Sequence, residues 1–371
     1  MKKFFLIALL ITVLASCAKS FKQDIKITKP IASFVGQVDS IVISKMNQYN
    51  IPGLAIGIVK DGKIVYTNGF GVKNINKIDP VTENSVFHVA SISKLLTAQA
   101  IVQLEMNNRL RLDDKLIDLI PELNFSDESV KSITIKSLLN HTSGLPDISN
   151  YHWSNHNQAE NSLKDYILEL NSKLDSEPST KYQYSNLGYD ILGYVVEKVT
   201  RNSFEDFVKE QILNTSGMNA SDFRYFKIPD SLKTTPHTKT WIGRNITTRE
   251  TYPYTREHAP SSTLNTSSKE LSNWMISFLD KLENSNPKNN YSSMLESSTG
   301  LSSTIGLGFQ LYDIDAKKAV GHYGGDKGFR SFLMMIPNEH IGVVLLANCD
   351  YNEDYRQEIV YPIVRLLLRV K

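Results

Sequence analysis

Residues 87–98 read FHVASISKLLTA, and this stretch decides how the rest of the sequence is interpreted. It places Ser91 and Lys94 three positions apart, where a short β-rich segment gives way to an apolar helical pattern. The same Ser-x-x-Lys spacing also occurs at 16–19 and 285–288, so the spacing alone carries little information. The segment opened by Ser91 is apolar on nearly all sides as far as residue 104, which predicts a buried helix.

The pairing of Ser91 with Lys94 suggests a nucleophile and its base. Residues three apart share a helix face, so the hydroxyl and the amine should lie side by side near a helix N-terminus. A serine hydroxyl becomes a useful nucleophile when a base takes its proton, and a desolvated lysine can be that base. The alternative is a helix cap followed by an incidental lysine, and further motifs must decide.

Two polar motifs follow downstream. The first is Tyr184-Ser185-Asn186, whose phenol could pass a proton and whose amide could orient a substrate. The second is the sequence GHYGG at 321–325, whose glycines let a substrate approach the backbone. Each motif is weak in isolation: residues 66–68 match Tyr-x-Asn by chance, and GHYGG also fits a simple glycine-rich bend.

Hydrophobic patterning predicts strands at both ends of the chain and helices between them. Strands are expected at 54–59 and 63–67, joined by a hairpin at Asp61-Gly62, and again at 305–312, 329–336 and 341–347. Residues 355–370 have the pattern of a closing helix. We therefore expect an α+β fold: an antiparallel sheet built from both chain ends and flanked by helices, with a mostly helical lobe inserted at about 105–280. A catalytic cleft is expected between the two parts.

The first residues have the pattern of an export signal. Lys2 and Lys3 precede an apolar run at 4–14, and residues 14–17 read LASC, which resembles a bacterial lipobox. The resemblance implies a signal peptide at 1–16, a lipid-modified Cys17, a tether at 17–33 and a catalytic domain at 34–371. We expect a protein of the bacterial cell envelope that is held to a membrane through Cys17. An ordinary secretory signal is the alternative.

The net charge of the chain bears on whether the protein binds nucleic acid. The formal net charge of the 371-residue chain is +2, and Lys2 and Lys3 account for that excess. The chain beyond residue 16 is therefore neutral, and we expect no nucleic-acid partner.

Taken in order, the three motifs resemble the serine β-lactamase and penicillin-binding-protein superfamily, for which Ser-x-x-Lys and Lys-Thr-Gly elements are known signatures. The resemblance is strongest to the class C β-lactamase-like branch, and it includes NHTSGL at 140–145, the segment 260–271 and the stretch from 322 to 329. It covers residues from about 34 to 371 and implies a β-lactamase/transpeptidase-like fold.

The resemblance also implies a role for each motif residue. Ser91 would be the acylated nucleophile, and Lys94 and Tyr184 would share the proton transfers. Asn186 would bind substrate, as would His322, Tyr323 and Gly324 of the third motif. The backbone N–H groups of Ser91 and Gly325 would form the oxyanion hole. No metal or organic cofactor is expected.

The third motif departs from the family pattern, since His322-Tyr323-Gly324 stands where Lys-Thr-Gly is usual. A neutral imidazole holds a substrate carboxylate less firmly than a permanent cation, and the bulky Tyr323 is expected to narrow the site. We therefore expect a D-alanyl peptidase or esterase-like enzyme acting on a small molecule or peptide, including peptidoglycan fragments. A β-lactamase is the alternative, and a non-catalytic peptidoglycan-binding lipoprotein is an alternative of another class.

Overall fold

The computed structural model describes residues 34–369 except 124, 172, 287–289, 298–299 and 353–354. The predicted signal peptide, Cys17 and the tether lie outside the described residues. The helices are α1 Phe34–Tyr49, α2 Ser93–Met106, α3 Leu116–Leu119, α4 Ile135–Leu139, α5 Ser162–Leu168, α6 Asn186–Thr200, α7 Phe204–Val208, α8 Ala259–Ser262, α9 Ser268–Glu283 and α10 Tyr355–Arg369. The strands are β1 Gly53–Lys60, β2 Lys63–Gly71, β3 Phe87–His88, β4 His237–Lys239, β5 Ile246–Thr248, β6 Asn265–Thr266, β7 Gln310–Ile314, β8 Lys317–Asp326, β9 Phe329–Ile336 and β10 Ile341–Ala347.

The main sheet has six antiparallel strands in the order β2-β1-β10-β9-β8-β7. Its centre joins the two ends of the chain, because β1 pairs with β10 from Leu54 opposite Ala347 to Lys60 opposite Ile341. The β1–β2 connection is the predicted hairpin turn, in which Asp61 (φ 50°) and Gly62 (φ 71°) both adopt left-handed backbone angles. Such angles suit a type I′ turn, which matches the twist of the paired strands. The predicted α+β fold is confirmed.

Both faces of the sheet are covered. Along β1, Ala55 and Val59 face a core shared with α2, α6 and α9, while Leu54, Ile56 and Ile58 face a second core beneath α1 and α10. Alternate residues of a strand point to opposite faces, so a strand that is buried on both sides is apolar throughout.

The structure differs from the sequence prediction in two places that bear on the site. The predicted strand at 305–312 begins only at Gln310, because Gly308 has a φ of 84° and the chain bends there, which leaves Ile305 in an isolated bridge opposite Gln310. The helix predicted to open at Ser91 begins as a 3₁₀ turn over Ala90–Ile92, and α2 follows from Ser93. Within the described residues, none of the helices is both long enough and apolar enough to cross a bilayer.

Candidate active site

The turn that carries Ser91 is held on both sides. Val89 donates its N–H to the Leu264 carbonyl at 2.9 Å and accepts from Ser331 Oγ at 2.8 Å. Ala90, which lies between Val89 and Ser91 in the chain, adopts a φ of 49°, a left-handed angle that is unfavourable for a residue with a Cβ. Such strain persists when the surroundings enforce it, and it is concentrated at functional sites. Ser91 is therefore presented at a fixed, partly exposed position at the entrance to α2.

Lys94 lies one helical turn further on and is fully buried. Its Nζ is 3.0 Å from Ser91 Oγ, 2.5 Å from Asn186 Oδ1 and 2.7 Å from the Ser261 carbonyl oxygen. The aromatic rings of Tyr184 and Tyr189 lie 5.2 Å and 5.5 Å from Nζ. The side chain thus has one orientation, with its nitrogen directed at the serine.

Burial lowers the pKa of Lys94 to about 7, against the opposing effect of Asp190, Asp147 and Asp326, whose negative charges favour the ammonium. A neutral amine has two N–H donors and one lone pair. If it donates to Asn186 and to Ser261, the lone pair is left facing Ser91. The geometry therefore suits Lys94 as a base near neutral pH.

Tyr184 also contacts Ser91, and its hydroxyl is 2.9 Å from Ser91 Oγ. Burial raises the pKa of the Tyr184 phenol, so the hydroxyl keeps its proton and donates it to the serine oxygen. His141 supports the ring at a centroid distance of 4.4 Å, and its Nδ1 accepts the Ser185 N–H at 3.1 Å. Of the two predicted proton carriers, Lys94 is thus the better base and Tyr184 the better donor.

Asn186 begins α6, and its amide is engaged at both ends. The carbonyl oxygen accepts from Lys94, and the Nδ2 group donates to Asp147 Oδ1 at 3.0 Å and Oδ2 at 3.2 Å. Asp147 also accepts the Asn186 backbone N–H at 2.8 Å. In this geometry Asn186 positions the lysine, and a substrate would have to share its amide.

The third motif lies on β8, and its His322 faces Lys94 and Tyr184. The two aromatic rings, of His322 and Tyr184, are 6.2 Å apart. His322 Nδ1 is 2.5 Å from the Tyr323 carbonyl, so Nδ1 carries the proton and donates it. Burial, and then the charge of Lys94, lowers the pKa of His322 to about 3, which leaves a neutral imidazole in the position of the usual family lysine.

Tyr323 is not brought to the site, and the expectation that its side chain narrows the site is wrong. Alternate residues of β8 point to opposite faces, and Tyr323 lies on the face that packs beneath α10. Its ring stacks on Phe332 at 3.9 Å, and the Arg356 guanidinium lies 4.8 Å from its centroid. Only its backbone borders the site.

Gly324 and Gly325, which follow Tyr323 on β8, differ in their surroundings: the first is tightly packed and the second is exposed. A Cβ on Gly324 would lie 2.1 Å from Ser331 Oγ and 2.2 Å from the Val89 carbonyl, so β8 can lie against the serine turn only without a side chain here. Gly325 is exposed. Tyr323 donates its N–H to Gln310 Oε1 on the β7 side of β8, and the alternation of a strand directs the Gly325 N–H to that same edge.

Sequence reasoning missed a buried pair behind Lys94. Asp190 Oδ2 is 2.7 Å from His258 Nδ1, and Asp190 Oδ1 accepts the Ser261 N–H at 3.2 Å. Since the Ser261 carbonyl accepts from Lys94, the carboxylate is linked to the base through one residue. Asp190 is the one charged residue in the buried part of α6, residues 186–196, and that charge was a signal in the sequence.

Comparison with known proteins places this site in a family. A family model described as Beta-lactamase matches residues 38–365. The chain belongs to the Beta-lactamase family. That family is part of the serine β-lactamase and penicillin-binding-protein superfamily.

Relatives of this family are similar along most of the chain. Protein flp of Staphylococcus aureus (strain MW2) is 28% identical over 335 residues, 87% of this chain and 64% of that protein. The chain thus spans less than two thirds of the length of that relative. Penicillin-binding protein 4* of Bacillus subtilis (strain 168) is 26% identical over 338 residues, 86% of this chain and 72% of its own length.

Solved structures of the family share the fold. An octameric penicillin-binding protein homologue from Pyrococcus abyssi matches with a TM-score of 0.76 and 25% identity, over 90% of this chain and 77% of that one. A β-lactamase/D-alanine carboxypeptidase from Pseudomonas syringae matches with a TM-score of 0.74 and 20% identity, over 92% of this chain and all of that one. At its level of identity the second likeness concerns the fold alone.

Proposed function

We propose that the protein is a D-alanyl peptidase or esterase-like hydrolase that works through an acyl intermediate on Ser91. One observation carries the proposal: Ser91 Oγ lies 3.0 Å from the nitrogen of a lysine suited to act as a base and 2.9 Å from a protonated phenol. A nucleophile with a base and a proton donor in direct contact fits covalent acyl transfer.

Acylation would begin with transfer of the Ser91 proton to neutral Lys94. The freed Oγ attacks the substrate carbonyl carbon, and the resulting oxyanion accepts the N–H groups of Ser91 and Gly325. Collapse breaks the bond to the leaving group, which takes a proton from Tyr184; Tyr184 regains one from the Lys94 ammonium. Loss of one oxyanion donor typically raises the barrier by about 2.7–4 kcal/mol.

Hydrolysis of the ester would use the same groups. A water molecule gives a proton to neutral Lys94 and attacks the acyl carbon. The bond between the acyl carbon and Ser91 Oγ then breaks, Oγ takes a proton from the Lys94 ammonium 3.0 Å away, and the acid product leaves. Both half-reactions require an unprotonated Lys94, so kcat/KM should rise as pH increases through the pKa of about 7 that burial gives this lysine.

The neutral His322 supports esterase activity on uncharged substrates over β-lactamase activity; a D-Ala-D-Ala peptide carries a carboxylate, as a β-lactam does, so His322 does not separate those two. Family members that hydrolyse β-lactams usually have a lysine here, and its charge can pair with a substrate carboxylate. His322 offers an imidazole whose buried Nε2 has no hydrogen-bond partner among the described residues. Weak attraction for a carboxylate favours uncharged esters and amides, and replacement by lysine should improve carboxylate-bearing substrates.

We also propose that the enzyme is exported and anchored in the bacterial envelope through Cys17, as the lipobox-like sequence predicts. Intact mass of the membrane-extracted protein tests this directly. A diacylglycerol-modified chain beginning at Cys17 is expected, and Cys17→Ala should release the protein from the membrane. An unmodified processed chain would refute the anchor without bearing on catalysis.

Covalent labelling tests the nucleophile. The wild-type protein, incubated with a fluorophosphonate or a penicillin, should gain the mass of one adduct, and Ser91→Ala should gain none. Ser93→Ala is a matched control from the same motif, because Ser93 Oγ accepts the Leu264 N–H at 3.0 Å and does not face Lys94. Equal labelling of wild type and Ser91→Ala, or labelling of neither, would refute the mechanism.

A substrate panel separates the remaining activities. We expect turnover of p-nitrophenyl acetate or of a D-Ala-D-Ala peptide that exceeds turnover of nitrocefin. Faster turnover of nitrocefin would instead indicate a β-lactamase. Absence of turnover with saturable binding to cell-wall fragments would support the non-catalytic alternative.

A further inference from the structure

Three apolar side chains on two neighbouring loops are far more exposed than the others. Ile78, Trp241 and Ile242 are each at least 80% exposed, whereas the other exposed large apolar residues of the described chain reach at most 45%. An isolated apolar residue on a surface needs no explanation. Here the three most exposed apolar side chains lie on the loop that follows β2 and on the tip of the β4–β5 hairpin. This grouping suggests that their exposure serves one binding function.

The two loops are joined at their bases. Ile75 donates its N–H to His237 Nε2 at 3.2 Å, and Asn74 Nδ2 donates to Thr235 Oγ1 at 3.1 Å. His237 is the first residue of β4, and its Nδ1 donates to the Asn348 carbonyl at 2.9 Å. The bases of the two loops are therefore held together beside the end of β10. We call the surface formed by these loops the hairpin patch. It consists of the apolar residues Ile78, Trp241 and Ile242 and the basic residues Lys77, Lys239 and Arg244.

The net charge around the patch is positive. Asp79, next to Ile78, pairs with Lys73 at 2.8 Å, which leaves Lys77 on this loop and Lys239 and Arg244 on the hairpin. An exposed tryptophan flanked by aliphatic and basic side chains is the composition found at the boundary between water and lipid. Anionic headgroups would complement the local positive charge.

We propose that the hairpin patch docks on an anionic lipid bilayer, with Trp241 and Ile242 inserted at headgroup depth. A protein partner is a poorer fit, because three side chains of this kind present roughly 400–500 Å², below the roughly 800 Å² per partner of a stable interface. The inference extends the proposed envelope location. A tether of the length of 17–33 reaches at most about 55–60 Å, which lets an anchored domain turn this patch towards the membrane.

Docking would also set the position of the catalytic cleft. The hairpin base packs on the β8–β9 turn, where a Cβ on Gly328 would lie 2.0 Å from Pro236 Cβ. Gly325, the proposed oxyanion donor, is three residues before Gly328 on the same strand and turn. A docked patch therefore places the open edge of β8 near the lipid surface, where a membrane-attached substrate would arrive.

Trp241 provides the readout for a test. The chain has three tryptophans, and the other two, Trp153 and Trp274, are 3% and 0% exposed. Full-length processed protein is reconstituted with vesicles of phosphatidylcholine alone or with added phosphatidylglycerol, carrying brominated acyl chains. We expect a blue shift and quenching of tryptophan emission in the anionic vesicles, and neither change in Trp241→Phe.

One further variant measures how much the basic charge contributes to docking, and another serves as a control. Arg244→Gln should lower the ratio of docked to undocked molecules about fivefold, since one basic residue near an anionic surface contributes on that scale. Val65→Ser, at an apolar residue that is 44% exposed on β2, is the matched control and should not change quenching.

The outcomes separate this inference from the anchor. Membrane attachment through Cys17 without quenching of Trp241 would overturn the docking proposal and leave the anchor intact. Quenching in an unlipidated chain would support the patch and refute the anchor. Equal quenching in the two vesicle types would overturn the electrostatic part, and self-association abolished by Trp241→Ser would assign the patch to a second copy of the chain.

Discussion

Replacing Asp190 by asparagine removes a buried carboxylate behind the proposed catalytic base while retaining an oxygen for the Ser261 N–H. Asp190 is fully buried, and of the charged groups around Lys94 it favours the ammonium form most strongly. The other groups facing Lys94 are the carboxylates Asp147 and Asp326 and the imidazoles His141 and His322. Asp190→Asn changes one of these charges and leaves the rest in place.

The expected change in the pKa of Lys94 follows from its distance to Asp190. Asp190 reaches Lys94 through two hydrogen bonds and the backbone of Ser261, a separation of roughly 6–8 Å, at which two unit charges interact by about 2–3 kcal/mol for an effective dielectric of about 20. That energy corresponds to a pKa change of about 1.5–2. Removal of the carboxylate favours the neutral amine, so the pKa of Lys94 should fall from about 7 towards about 5.

The assay is the pH dependence of kcat/KM for p-nitrophenyl acetate between about pH 4 and about pH 9, which reports groups of the free enzyme. We expect the acid limb of Asp190→Asn to lie about 1.5–2 pH units below that of wild type. Asp313→Asn, which removes a surface carboxylate paired with Lys318, is the control and should leave the limb in place. An unmoved or raised limb in a folded Asp190→Asn protein would refute the reasoning.

The remaining predictions concern neighbouring positions. Gly324→Ala places a Cβ within 2.2 Å of the Val89 carbonyl in the serine turn, and it should reduce kcat/KM by about 10²-fold because the nucleophile is misplaced. Gly300→Ala, whose Cβ would have no atom within 4 Å, is the control and should leave kcat/KM unchanged. Equal effects of the two substitutions would contradict the packing argument. Tyr184→Phe removes the hydroxyl donated to Ser91 and should slow acylation by about 10²–10⁴-fold, measured by the rate of adduct formation with a penicillin; an unchanged rate would exclude Tyr184 from proton transfer. Tyr323→Thr should lower the melting temperature and leave the ratio of kcat/KM between ester and peptide substrates unchanged, since the ring stacks on the far face of the sheet; a changed ratio would show that it reaches the site.

The sequence was sufficient for the groups that touch the nucleophile. Ser91 and Lys94 are one helical turn apart, so local geometry determines their contact, and Asp61-Gly62 defines a hairpin for an equally local reason. The order of the later motifs allowed Tyr184 to be predicted as a partner, and the structure brings it to 2.9 Å from the serine oxygen.

Long-range packing decided what the sequence could not. His322 and Tyr323 alternate along one strand, and only the layers packed on each face determine which of them faces Lys94. The meaning of Asp190 depends on His258, which lies on a different helix and in a distant part of the sequence. The strand expected at 305–312 begins five residues late, because the apolar pattern there continues through the bend at Gly308.

The central pairing of the sheet has a consequence for the order of folding. β1 and β10 come from opposite ends of the described chain and pair residue by residue from Leu54 opposite Ala347. The site strands β8 and β9 join β1 only through β10, so a growing chain cannot complete this sheet until residue 347 has been synthesised. Topologies dominated by such distant contacts fold slowly. Until then β1 is paired only with β2 and β9 only with β8, so slow joining of these two parts through β10 should precede the appearance of a functional Ser91.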